Sequence, residues 1–147
     1  MDDQTKRKNW MGLLAKSAPP TMEELCAPLS ATHSFDWLRQ PETGGVMVRG
    51  RTGGTGSAFN MGEVTVTRCS LRLKCGAVGH AYVQGRDKAH ATQAALVDAL
   101  MQTAQAEHVE QDILQPLRQQ RMQQQAAIQG RANATKVDFF TMVRGDD

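Results

Sequence analysis

Two stretches carry residue types that can hold a phosphate. Residues 48–63, "VRGRTGGTGSAFNMGE", set Gly53, Gly54, Thr55 and Gly56 beside Arg49 and Arg51, bringing backbone amides and guanidinium groups together along the chain. Residues 83–91, "VQGRDKAHA", place Gln84, Gly85, Arg86, Lys88 and His90 where a strand gives way to a helix. Exposed amides and the dipole at such a helix start favour an anion. Each stretch also has a plainer use. Glycines between strands supply positive backbone angles and allow a bulge. Gly85 suits a turn, Asp87 a helix cap, and Arg86 and Lys88 solvated or salt-bridged ends. The first stretch lacks the Gly-Lys-Ser/Thr that opens the helix of a nucleotide-hydrolase phosphate loop, and it lacks the dinucleotide fingerprint. "RTGGTGS" therefore reads as a shaped connection between strands, set against another chain, more than as a phosphate loop in its own right.

Other chemistry finds little footing. There is no nucleophile elbow, no HExxH and no paired-carboxylate signature. Cys26, Cys69 and Cys75 are odd in number and unpatterned, which points to reduced structural thiols rather than disulfides or a zinc site. His33, His80, His90 and His108 are dispersed, and none is spaced from another like a metal-binding helix pair. No catalytic and no metal-ligating residue is assigned. The 17 basic and 15 acidic side chains leave a net charge of +2, too weak a field to attract nucleic acid or anionic lipid. Aromatics make up 5% of the chain, few to stack on bases. The N-terminus is charged where an export signal is apolar, and no run approaches the roughly 20 apolar residues that span a bilayer. A soluble cytoplasmic protein is expected.

The elements that must position these residues follow from periodicity. A length of 147 residues suits one domain. Within it, residues 1–31 form a helical N-terminal segment, 32–85 an antiparallel sheet, 86–134 helices and 135–147 an apolar tail. Trp10, Leu13 and Leu14 predict a helix over about 5–17, stopped by "SAPP". Thr21, three residues before Glu24, predicts the cap of a second helix that buries Met22, Leu25, Cys26 and Leu29. "HSFDWLRQ" alternates as a strand, "PETGG" reads as a turn, and "VMVRGR", "EVTVTRCSLRLK" and "AVGHAYVQG" complete a meander of about four strands. The apolar parity changes between Val64/Val66 and Cys69/Leu71/Leu73, predicting a bulge or strong twist near Thr67 or Arg68. Asp87 opens a helix to about Ala106 along the face of Ala94, Val97, Leu100, Met101 and Ala104. Pro116 marks the first turn of a last helix to about Gln129, with only Met122, Ala126 and Ile128 as its apolar stripe. The fold class is α+β: an antiparallel meander sheet, an N-terminal helical pair and two C-terminal helices.

The end, "VDFFTMVRGDD", is apolar where chains are usually polar. Phe139, Phe140, Met142, Val143 and Arg144 pack either on the chain's own sheet or into another subunit. The scarcity of other aromatics favours the second.

In order, "ETGGVMVRGRTGGTGSAFNMGEVTVTR", "HAYVQGRDKAHATQAALVDALMQ" and "VDFFTMVRGD" resemble the PhnG family, the smallest subunit of the bacterial carbon-phosphorus lyase core complex. The likeness runs from Trp10 and Met11 to the last residues. It implies phosphonate catabolism, in a two-fold symmetric complex with two copies each of the G, H, I and J subunits, joined by the ATP-binding K and L subunits. In that pathway G, H and I with L replace the adenine of ATP by a phosphonate, giving a ribose 1-phosphonate 5-triphosphate. The complex uses MgATP and phosphonate, while the iron-sulfur cluster and S-adenosylmethionine belong to J. The resemblance gives G no catalytic residue and no cofactor of its own. Residues and resemblance together imply an essential, non-catalytic subunit. The alternatives are an enzyme component that lends Arg51, the glycine amides, Arg86 or Lys88 to a shared phosphate site, and a nucleic-acid-binding module.

Overall fold

The computed structural model describes residues 2–145, and for residues 52, 60 and 135–145 the backbone alone. The element order is α1 (Asp3–Lys16), α2 (Pro19–Thr32), β1 (Phe35–Arg51), β2 (Ala58–Leu73), β3 (Val78–Gln84), α3 (Lys88–Leu100), α4 (Ala106–Val109), a π-helical turn (Glu110–Leu114) and α5 (Gln115–Gly145). This is the α+β meander expected: an N-terminal helical pair, an antiparallel sheet in the order β1-β2-β3, and helices after it.

α1 starts where Asp2 accepts a hydrogen bond from the Thr5 amide at 2.7 Å, and it ends at Ser17, whose hydroxyl donates to the Leu13 carbonyl. α2 departs from the expected capping box. Its cap position is Ala18, without a side-chain bond, and Pro19 and Pro20 occupy the first turn. Proline is at home there because its missing N–H would be unpaired anyway. Thr21 instead accepts from Gln120 of α5 at 2.9 Å.

The four extended segments predicted are all extended, but the first two are one strand. "PETGG" does not turn: β1 passes through it, with register irregularities against β2 between Trp37 and Arg39 and between Arg39 and Glu42. Among the described residues no strand pairs with the outer side of β1, and an edge strand tolerates a proline at a bulge. Glu42 fixes this stretch by pairing with Arg39 at 3.1 Å and Arg68 at 3.2 Å. The parity change in β2 has a related explanation. β2 keeps a regular register from Gly62 to Leu73, and the irregularities fall on β1, opposite residues 68–71. With the strand regular, odd and even residues face opposite sides. Thr67, Cys69, Leu71 and Leu73 turn to α3, while half-buried Val64 and buried Val66 lie on the other face, where they line a shallow cavity with Val46, Val48 and Tyr82.

The core sits between α3 and the sheet. Leu71, Val83, Ala91, Ala95, Leu96, Val97 and Leu100 are buried there, joined by Leu14, Met22 and Cys26 from the helical pair and by Ile113, Leu114 and Leu117. α3 rides close on β3 at Gly79, where an added Cβ would collide with the Ala95 carbonyl and crowd Ala99. α3 stops at Leu100 rather than near Ala106 because the Gln102 and Thr103 amides fold back onto the carbonyls of Ala99 and Leu100. Pro116 lies in the first turn of α5, as expected, just beyond the π turn, in which the Gln115 amide reaches the Glu110 carbonyl. Widening the helix there accommodates a ring that would clash with an ordinary α-helical carbonyl. α5 then outruns its predicted end by about four turns. Every described residue from 122 to 134 is exposed. The apolar tail proposed as an interface, Phe139, Phe140, Met142, Val143 and Arg144, lies outside the residues whose side chains are described.

Candidate functional site

The β1–β2 connection is built by backbone angles. Gly53 and Gly54 have φ of 62° and 83°, a region costly for other residues. Among the described residues nothing lies within 4 Å of an added Cβ at either, so their freedom serves the turn rather than a close neighbour. Arg51 reaches across the loop to the Gly56 carbonyl at 3.5 Å, and Thr55 is exposed.

The β3–α3 junction is equally occupied with its own structure. Gly85 turns the chain at φ 98°. Its amide donates to the Thr65 carbonyl at 2.8 Å and its carbonyl accepts from the Thr67 hydroxyl at 2.7 Å. Asp87 caps α3 as expected, accepting from the His90 amide at 2.9 Å, so a carboxylate already occupies the helix start. The His90 ring turns inward: it is 5% exposed, and its Nε2 donates to the Leu14 carbonyl at 2.7 Å. This bond ties α3 to α1 and withdraws His90 from any phosphate. Gln84, Arg86 and Lys88 remain exposed.

The two candidate anion stretches do not converge within one chain. Arg51 pairs with Ala58, whereas Gln84 pairs with Val66, a separation along β2 of roughly 25 Å at the usual strand rise. Arg51, Gly53, Gly54, Thr55 and Gly56 stand at one end of a long hairpin, and Gln84, Gly85, Arg86 and Lys88 at its base.

Two features were missed in the sequence. The first is Asp98, fully buried on α3. Its carboxylate accepts from Arg7 Nη2 at 2.8 Å, Trp10 Nε1 at 2.7 Å and the His80 amide at 2.9 Å. The Asp98 hydrogen bond raises the Arg7 pKa above its ordinary value, against the opposing effect of burial. An acid in the otherwise apolar run 94–101 was the available signal, since a buried charge must be paired. The second is the hairpin arm. Residues 45–51 of β1 and 58–65 of β2 run beyond the end of β3 as a two-stranded ribbon with Val46, Met47, Val48, Phe59 and Met61 exposed. Such a ribbon is marginal alone in water.

Two of the three thiols are held neutral. Burial pushes the Cys26 thiol up to about 12 and the Cys69 thiol up to about 11, and Cys69 donates to the Ala91 carbonyl. Both are structural, as expected. Cys75 is exposed at the β2–β3 turn. Among the described residues no group of three potential metal ligands comes together, and no helix is long and apolar enough to cross a membrane.

The arrangement defines a class: a small α+β chain whose described polar side chains build structure, and whose apolar surface extends along an arm. Residues 5–145 match the family described as "Phosphonate metabolism protein PhnG", and the chain belongs to that family. It is 40% identical to the "Alpha-D-ribose 1-methylphosphonate 5-triphosphate synthase subunit PhnG" of Rhizobium meliloti (strain 1021), over 97% of this chain and 91% of the relative.

Proposed function

We propose that the chain is an essential, non-catalytic subunit of a ribose 1-methylphosphonate 5-triphosphate synthase. With H, I and L partners it supports transfer of a phosphonate onto the ribose C1 of ATP, with release of adenine, in the cytoplasm. Its partners are H, I and J, two copies of each, with K and L added. MgATP and phosphonate bind the assembly rather than this chain alone, and iron-sulfur and S-adenosylmethionine chemistry belongs to J. The observation that carries the reading is the arm: Met47, Phe59 and Met61 are 52%, 48% and 65% exposed on a ribbon that needs cover. Burying that surface at about 25 cal/mol per Å² makes assembly part of the chain's stability.

The test is reconstitution with MgATP and methylphosphonate. The chain alone should release no adenine, the partners without it should release none, and the mixture should. Adenine release by the chain alone, or by the partners alone, would reject the proposal. One observation favours a second reading, in which the chain lends cations to a shared site: Arg86 and Lys88 stand exposed beside the start of α3. Arginine and lysine there would assist a triphosphate or phosphonate by charge.

A further inference from the structure

The outer edge of β1 is protected along only half its length. From Phe35 to Glu42 it carries two register irregularities, Pro41 and the Arg39–Glu42–Arg68 cluster, the devices that keep sheet edges from pairing. From Thr43 to Arg51 there is no proline, the one register irregularity, between Val48 and Arg49, places its extra residue on β2 rather than β1, and apolar Val46, Met47 and Val48 are exposed. This half is an open template for another strand.

We propose that the occupant is a second copy of this chain, the two 43–51 edges pairing antiparallel about a two-fold axis at Met47. Full overlap of this nine-residue segment with itself has only that midpoint. It sets Thr43 opposite Arg51, Gly45 opposite Arg49 and Met47 opposite Met47, so no arginine faces another. Charge complementarity selects the same register. The Glu63 side chain lies over Gly45, where a Cβ would collide with Oε1. Glu63 pairs with Met47, so Glu63, Gly45, Met47 and Arg49 share one face. Paired residues of antiparallel strands lie on the same face, about 4.5–5.5 Å apart at Cα, so Arg49 of the second copy arrives where the Glu63 carboxylate waits. Neither the Arg49 nor the Glu63 side chain has an ion-pair or hydrogen-bond partner among the described residues of the single chain. Pairing satisfies both, twice over. It also turns two marginal ribbons into a four-stranded sheet and leaves the faces bearing Phe59 and Met61 for other subunits.

The full-length chain carrying Cys75→Ser and Met47→Cys is oxidised, both purified and in cells that make the partner subunits. The two-fold register brings residue 47 of each copy within disulfide reach, and a disulfide-linked band of twice the chain mass is expected. Leu38→Cys, exposed in the protected half, should give none. No dimer from Met47→Cys, or equal dimer from both, overturns the proposal. Sedimentation then compares Arg49→Glu, Glu63→Arg and the double swap. Loss of the dimer in each single variant and its return in the double is the expected result. Single variants that dimerise like the parent, or a double that stays monomeric, overturn the Arg49–Glu63 register.

Discussion

Arg7 Nη2 lies 2.8 Å from Asp98 Oδ2, joining the first helix to the central one. Trp10 and the His80 amide complete the shell around the same carboxylate, so α1, β3 and α3 meet at one buried charge. Removing it strands three donors at once. Asp98→Ala should cost about 3–5 kcal/mol, read as a lower midpoint in urea. Arg7→Ala should also destabilise, and the double variant should cost clearly less than the two singles added together. Additive losses would show that the pair does not couple.

The approach of α3 to β3 gives a second prediction. Gly79 has no room for a methyl group against Ala95 and Ala99, so Gly79→Ala should destabilise by about 1–3 kcal/mol through overpacking. Gly53→Ala should cost less, roughly 1 kcal/mol, because only its backbone angle objects. Thermal melts of the two variants should rank in that order.

Thiol chemistry gives a third. A chromogenic disulfide reagent near pH 8 should label one thiol of the native chain, Cys75, and three after unfolding. Burial favours the neutral thiols of Cys26 and Cys69, raising them from an ordinary value of 9.0 to about 12 and about 11. Their contribution to stability is complete below pH 9 and is lost as pH rises through those folded values. Protection of both thiols should therefore fail on the alkaline side, between pH 9 and 12, and be unaffected by acid.

A fourth prediction separates the two functional readings. Arg86→Ala in the assembled complex should leave adenine release within about twofold of the parent, since an exposed side chain outside the reacting centre supplies little transition-state energy. A loss of turnover with the complex still assembled would move Arg86 into the shared site.

Much of this organisation was legible in the sequence because it is local. Asp87 as a cap, the helical pair, the alternating strands and Pro116 in a first helical turn depend on neighbours a few residues away. The failures share a cause. Pro41, Gly44 and Gly45 carry the composition of a turn, yet Pro41 sits at an irregularity of an edge strand and Gly45 makes room for Glu63 across the pair. His90 looked like a ligand beside Arg86 and Lys88, until the fold brought Leu14, 76 residues away, to its ring. Asp98 could be suspected of burial from its apolar flanks, but its partner at Arg7 is 91 residues distant and no spacing rule reaches that far. The arm was read as strands without its exposure, because only the length of β3 decides where the ribbon loses its third strand.

The central claim, that the chain acts by being held in an assembly through its arm, is tested most directly by Phe59→Ser with Met61→Ser. Both side chains are exposed, so the isolated variant should melt within a degree or two of the parent. Co-purification of the partner subunits and adenine release should both be lost. A variant that still brings down its partners and supports parental turnover would contradict the account.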